Sequence, residues 1–197
     1  MYLLFAVDVE EQLSKIIKRL EDGIKKYRVK ENFTDLPYRL MLKVPCEVED
    51  KILEPVEEYF VSYFAKQKVM KINTVELAKN ESEIFIKLVP SIDLKQMHDF
   101  ISNELNKRYH IEFNGLDTEF SFVIELAKDT EFIKINKLFE YLKEVELPTT
   151  IKLKHYFIAE SETGYKGSYK IQNRVDLKDE DDRKPFIKTV KPTYTNY

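Results

Sequence analysis

Few side chains in this sequence could carry acid–base or nucleophilic chemistry near neutral pH: three histidines, His98, His110 and His155, and one cysteine, Cys46. An imidazole exchanges a proton in this range, but it serves as general acid or base only when a partner orients it toward a reacting group. None of the three stands at motif spacing from another. His98 borders the apolar stripe of a helix, and His110 begins a short extended segment. His155 falls on the Ile151/Leu153/Phe157 face of an alternating stretch, so a structural role with one local hydrogen-bond partner is expected. Cys46 follows Pro45 without a neighbouring His and reads as a small structural residue. No Cys/His set has zinc-ligand spacing, so neither a metal nor a cofactor is expected. Gly164 and Gly167 fit a hairpin loop better than a phosphate cradle. Lys66, Lys68 and Lys71 interleave with Val69 and Ile72, but nearby Glu76 and Glu81 make this a solvated sheet surface rather than a nucleic-acid stripe.

Two stretches place charge among apolar residues more suggestively. Alternation over Tyr38 to Val44 puts Arg39, Met41 and Lys43 on one face, and alternation over Phe120 to Ala127 does the same for Val123, Glu125 and Ala127. Arg39 and Lys43 could together hold a phosphate, with Glu125 accepting from a hydroxyl or a base edge. The alternative is that Arg39 and Glu125 pair across the space while Met41 and Val123 fill the rest. It is favoured here, because a carboxylate on the wall opposes an anion.

The elements that must position these residues follow from periodicity. Tyr2 to Val7 reads as a buried strand, and Leu13, Ile16, Ile17, Leu20, Ile24 and Tyr27 fall on one helical face. Tyr38 to Val44 is a strand stopped by Pro45. A helix through Ile52 to Phe64 follows, then strands near 69–78 and 83–89 joined by the turn Lys79 to Ser82. A helix from about Ile92 to Arg108, a strand at Phe120 to Ala127, a helix through Phe132 to Leu142, and strands near 151–159 and 169–177 complete the chain. Both halves read αβαββ at a nearly constant offset, which predicts an α+β fold of two pseudo-two-fold related lobes. Their antiparallel sheets would be backed by helices around a central cleft. The lobes are expected at about 1–90 and 91–177, with the N-terminal strand free to join the second. Residues 178–197, with Arg183, Lys184, Lys188 and Lys191, form a tail outside the core.

Composition limits the rest. The chain has 197 residues, 43% of them hydrophobic, enough for a sizeable core, and its formal net charge of −3 provides no basic field for DNA. A single cysteine rules out an intrachain disulfide, and there is neither a signal-peptide pattern nor an apolar run of about 18 residues. A cytoplasmic protein with no membrane association is expected.

The segments Tyr2-Leu-Leu-Phe-Ala-Val-Asp8, Leu36-Pro-Tyr-Arg-Leu-Met-Leu-Lys-Val-Pro45 and Phe122-Val-Ile-Glu-Leu-Ala-Lys-Asp129 resemble the 2H phosphoesterase (2′-5′ RNA ligase-like) family. The resemblance spans roughly residues 1–177. In that family each lobe supplies a His-x-Thr/Ser motif on a central strand. Leu42, Lys43 and Pro45 match the surroundings of the first motif, and Leu126, Ala127, Lys128 and Asp129 those of the second. The catalytic positions themselves fall on Arg39 and Met41, and on Val123 and Glu125. The resemblance therefore implies a cleft built for a cyclic or 2′,5′ phosphodiester but stripped of its acid and base, each contributing on the order of 10² to 10⁴ in rate. The expectation is a non-catalytic protein binding a nucleotide, an RNA end or a protein partner. The alternatives are a cyclic phosphodiesterase or ligase-like enzyme using substituted residues, and a structural protein-interaction module.

Overall fold

A computed structural model describes residues 1–30, 36–117, 120–165 and 167–178. The elements run β1 (Tyr2–Asp8), α1 (Ser14–Tyr27), β2 (Arg39–Met41), β3 (Cys46–Glu47), α2 (Asp50–Phe64), β4 (Met70–Lys79), β5 (Glu83–Leu88) and α3 (Ile92–Tyr109). They continue with β6 (Val123–Lys128), α4 (Phe132–Leu142), β7 (Thr150–Leu153), β8 (His155–Ser161) and β9 (Lys170–Asp176). Local chemistry sets several boundaries. Ser91 caps α3 by accepting from Leu94 N at 3.2 Å. His110 ends the same helix in the left-handed conformation, φ 57°, with its N–H on Asn106 O. His110 is thus a helix cap, not the start of an extended segment.

All strands pair antiparallel in one curled half-barrel sheet of order β7-β4-β5-β6-β2-β1-β8-β9, with β3 on β1 off that path. The sheet divides at the β6–β2 pair into two halves, β7-β4-β5-β6 and β2-β1-β8-β9. Helices α1 and α4 pack together, with α4 lying on β4 and β5, while α2 packs on β8, β9 and α3. The architecture is the expected two-lobed α+β layout with a central cleft. Each half-sheet draws strands from both ends of the chain: β1, the strand left free to join the second lobe, pairs with β8, and β2 goes with it. Local periodicity reports elements but not which edge each will find.

The principal core lies between sheet and helices. Leu3, Phe5 and Val7 point into it from β1, with Leu40, Ile86 and Ile124 from the neighbouring strands. Phe5 meets Phe60 of α2 edge-on at 4.9 Å, and Phe64 stacks on Tyr156 at 5.0 Å. Each such side chain contributes about 1.5 to 3 kcal/mol by leaving water. The alternate residues of β1, Leu4 and Ala6, face the inner side of the half-barrel, where they pack with Phe157, Ala159 and Tyr169 in a second, smaller cluster. Both faces of β1 are therefore apolar, as its uninterrupted Leu-Leu-Phe-Ala-Val run requires.

Two expected strands are shorter than alternation suggests. β2 ends at Met41 although β1 still offers partners: Leu42 N bonds Phe5 O at 2.8 Å, the chain bends at Leu42 and Lys43, and β3 then pairs with Tyr2 and Leu3 further along the same edge. The 151–159 stretch is two strands broken at Lys154: β7 pairs β4 at the far edge, and β8 pairs β1.

Candidate functional site

The inner face of the β2–β6 junction holds the candidate site. Leu40 lies opposite Ile124, and both are fully buried on the helix side. Antiparallel register then sets Arg39 opposite Glu125 and Met41 opposite Val123 on the inner side, with Cβ atoms of such pairs about 4.5 to 5.5 Å apart. On β5, Phe85 is the register partner of Glu125. These four residues, with Glu83 and Phe85, line a cavity of about 230 Å³. Arg39, Met41, Val123 and Glu125 leave this space open rather than filling it. Arg39 donates to Pro37 O at 3.2 Å. Burial draws its guanidinium pKa below the ordinary value, while Glu125 and then Tyr169 act in the opposite direction. Glu83 is ion-paired to Lys128.

The inner face is asymmetric about this junction. On the β2-β1-β8 side the Leu4/Ala6/Phe157/Ala159/Tyr169 cluster, with Met41 packed against it, plugs the half-barrel. The loop after β8 closes over it through Gly164, whose φ of 72° and approach to the Tyr2 ring leave no room for a side chain: a Cβ there would sit 3.0 Å from Tyr2 Cγ. On the β4-β5-β6 side the face is open. A second cavity of about 840 Å³ lies there, sharing Glu83, Phe85 and Val123 with the first.

Lys43 does not join Arg39. With β2 ended, the alternation that places it in the cleft no longer applies. Its side chain is 1% exposed and its Nζ lies 2.6 Å from Asp117 Oδ2. A lysine committed to a buried carboxylate cannot also hold a ligand phosphate, so Lys43 is not part of the cavity that Arg39 lines. Sequence reasoning passes over Asp117, whose only signal is an acidic residue in an otherwise featureless loop.

The histidines lie elsewhere. His98 is buried, with Nδ1 2.8 Å from Leu42 O and Nε2 3.3 Å from Asp117 O. His155 Nδ1 lies 2.6 Å from Asp176 Oδ1 at the β8–β9 edge, not on an apolar face. Burial pushes the Cys46 thiol up to about 11, which keeps it protonated and unreactive. Among the described residues no three His, Cys, Asp or Glu side chains gather as a metal site, and no helix is long and apolar enough to cross a membrane. The four basic tail residues lie outside the described residues.

No family model and no curated protein sequence matches the chain. In fold it is similar to TT0787 of Thermus thermophilus, with a TM-score of 0.58 at 13% identity over 91% of this chain and 100% of that one. It is also similar to E. coli LigT complexed with 3′-AMP, with a TM-score of 0.54 at 15% identity over 89% and 97% of the two chains. For LigT complexed with NADP+ the TM-score is 0.51 at 14% identity over 89% and 96%. At these identities the likeness is one of fold, and it is the LigT-like layout that the sequence resemblance implies.

Proposed function

We propose, from the fold shared with LigT-like phosphoesterases, that this chain is a 2H phosphoesterase-like (2′-5′ RNA ligase-like) protein that binds a nucleotide or RNA end at the β2–β6 junction without turning it over. The observation that carries the reading is the set of four side chains at that junction: Arg39, Met41, Val123 and Glu125 around a cavity of about 230 Å³. Phosphodiester transfer through a paired acid and base needs two groups that exchange protons. Arg39 stays protonated, while Met41 and Val123 carry no exchangeable proton, so of the four only Glu125 could serve as acid or base. Binding is a different requirement. The half-buried Arg39 guanidinium, beside the apolar Met41, Phe85 and Val123, can take one phosphate and an attached ring where that anion outcompetes Glu125, since Glu83 is already held by Lys128. The LigT structures complexed with 3′-AMP and NADP+ supply the precedent for nucleotides on this fold.

The test is chromatographic assay of 2′,3′-cyclic nucleotides and 2′-5′-linked dinucleotides beside calorimetric titration of AMP. The expected result is no turnover above buffer, together with AMP binding that weakens at least tenfold in Arg39→Met. Turnover that vanishes in Glu125→Gln would make the protein an enzyme using substituted residues, and AMP binding indifferent to Arg39 would remove the junction as the site.

A further inference from the structure

The open sheet has two edges, β7 and β9, and they differ. The β7 edge is short and closed. The Gln12 side-chain amide donates to Lys152 O at 2.8 Å and accepts from Lys152 N at 2.7 Å, standing in for a neighbouring strand. Along the outer edge of β9 no such cover exists among the described residues. Unpaired edge N–H and C=O groups are a template for a further strand unless charge, proline or a bulge discourages one.

The exposed groups follow from the ladder. Leu177 N donates to Lys154 O at 2.8 Å, so Asn173, Val175 and Leu177 turn their backbone groups toward β8, and Arg174 and Asp176 turn theirs outward. The first part of the edge is blunted, because Asn173 faces Ile158 and Ile171 faces Ala159, leaving Gln172 as a bulge. From Asn173 to Leu177 the register with β8 is regular.

This regular stretch is complementary to itself. In an antiparallel pairing of two copies centred on Val175, the two valines face each other, and on either side of them Arg174 of one copy faces Asp176 of the other. These are the residues whose backbone groups point outward, so each facing pair exchanges two hydrogen bonds. Their side chains lie on the inner face, opposite Phe157 and His155, and are 44% and 60% exposed. Each has capacity to spare: Arg174 uses Nη2 on Asp8, and Asp176 uses Oδ1 on His155. Opposite charges directly across a strand pair stabilise it, and like charges oppose it. Centring on Arg174 or on Asp176 would set like charges against each other, and centring on Asn173 would bring in the bulge. Within β9 one register is left.

We propose that the outer edge of β9 docks a second copy of this chain, the two strands pairing antiparallel about Val175 with Arg174 of each copy opposite Asp176 of the other. Two half-barrels then share one continuous sheet. The β2–β6 junction lies inward of this edge, beyond β8 and β1, so it stays open in both copies and the proposal stands apart from the nucleotide reading. So narrow a contact belongs to the small, transient class of interfaces, and association is expected at high protein concentration.

Sedimentation equilibrium of the full chain from micromolar to millimolar concentration, with amide hydrogen exchange followed by NMR, tests it. The mass should rise toward that of a dimer, and exchange at the Arg174 and Asp176 amides should slow at least tenfold over the same range. Arg174→Glu and Asp176→Lys each bring like charges into register and should each weaken association at least tenfold. Both change surface ion pairs, so the circular dichroism spectrum should be unchanged. Mixed in equal amounts, the two variants should associate as the native chain does, since each then meets an opposite charge on the other. A monomer at every concentration, association that either single variant leaves intact, or a mixture no better than the single variants overturns the proposal. Protection of both amides in a monomer would place another segment of the same chain on this edge and also overturn it.

Discussion

Replacing Glu57 by glutamine should make the protein more stable above neutral pH and leave it nearly unchanged in mild acid. Glu57 projects from α2 toward β8 and β9. Asn173 Nδ2 donates to its Oε2 at 3.0 Å, while its buried Oε1 meets no donor among the described residues, and Glu57 can donate to Glu160 once it is itself protonated. Burial first, then the hydrogen bond and charge of Glu160, raise the Glu57 carboxyl from 4.5 to about 7. The sign follows from proton counting. Between 4.5 and about 7 the folded chain holds a proton that the unfolded chain has released, so this stabilisation is complete below 4.5 and is lost as pH rises through 7. A fully sealed pair would lose about 3 kcal/mol over that window, at about 1.4 kcal/mol for each pH unit. Water reaches this pair, and screening reduces the effect to about 1 kcal/mol. A glutamine amide in its place would offer Glu160 a permanent N–H donor while keeping an acceptor for Asn173. Thermal unfolding of the native protein and Glu57→Gln, followed by circular dichroism from about pH 5 to 9, should show the two converging at the acid end. Near pH 8.5 the variant should melt about 2 to 4 °C higher. A difference that does not vary with pH, or a native protein more stable than the variant in the alkaline range, would refute the shared proton.

Three further outcomes are expected. Lys43→Met alone should cost about 3 to 5 kcal/mol in denaturant unfolding, by leaving Asp117 charged and buried, and Lys43→Met with Asp117→Leu should recover most of the loss. Gly164→Ala should lower stability by about 1 to 2 kcal/mol, because its φ of 72° and the Tyr2 ring at 3.0 Å both resist a Cβ; a neutral result would mean the loop moves away from β1. Cys46 should stay unmodified by a maleimide at neutral pH in the native state and react once unfolded, since its thiol is buried and held up to about 11; rapid native labelling would contradict that burial.

Much of this is legible in the sequence, and what is missed has a physical pattern. The helices through Leu13 to Tyr27, Ile52 to Phe64 and Ile92 to Arg108 follow from apolar spacing alone, because a helix closes its hydrogen bonds within itself. Arg39, Met41, Val123 and Glu125 line one cavity because β2 and β6 run as true strands over those positions, where alternation holds. Lys43 is misplaced by the same alternation because the chain bends at Leu42 and Lys43, and the Lys43 side chain goes to Asp117, a partner remote in sequence. The grouping of β2 with β8 and β9 likewise depends on pairing through β1, the strand that the sequence leaves free to join either half. Asp117 and Phe120 give no signal, because the cavity that joins them to Phe85 and Val75 is assembled from separate segments of the chain.

The interleaving of the half-sheets also orders events in time. In the sheet Tyr2 lies opposite Ser161 and Asp8 opposite His155. During synthesis at about 5 to 20 residues per second, β1 emerges on the order of ten seconds before the strand that completes it. Meanwhile both of its faces are apolar and one edge is unpaired, the conditions under which a strand recruits another chain. Folding of the β2-β1-β8-β9 half is therefore governed by a late, long-range closure rather than by local growth. A nascent chain interrupted before His155 leaves one edge of β1, and the inner face that Phe157 and Ala159 cover, exposed.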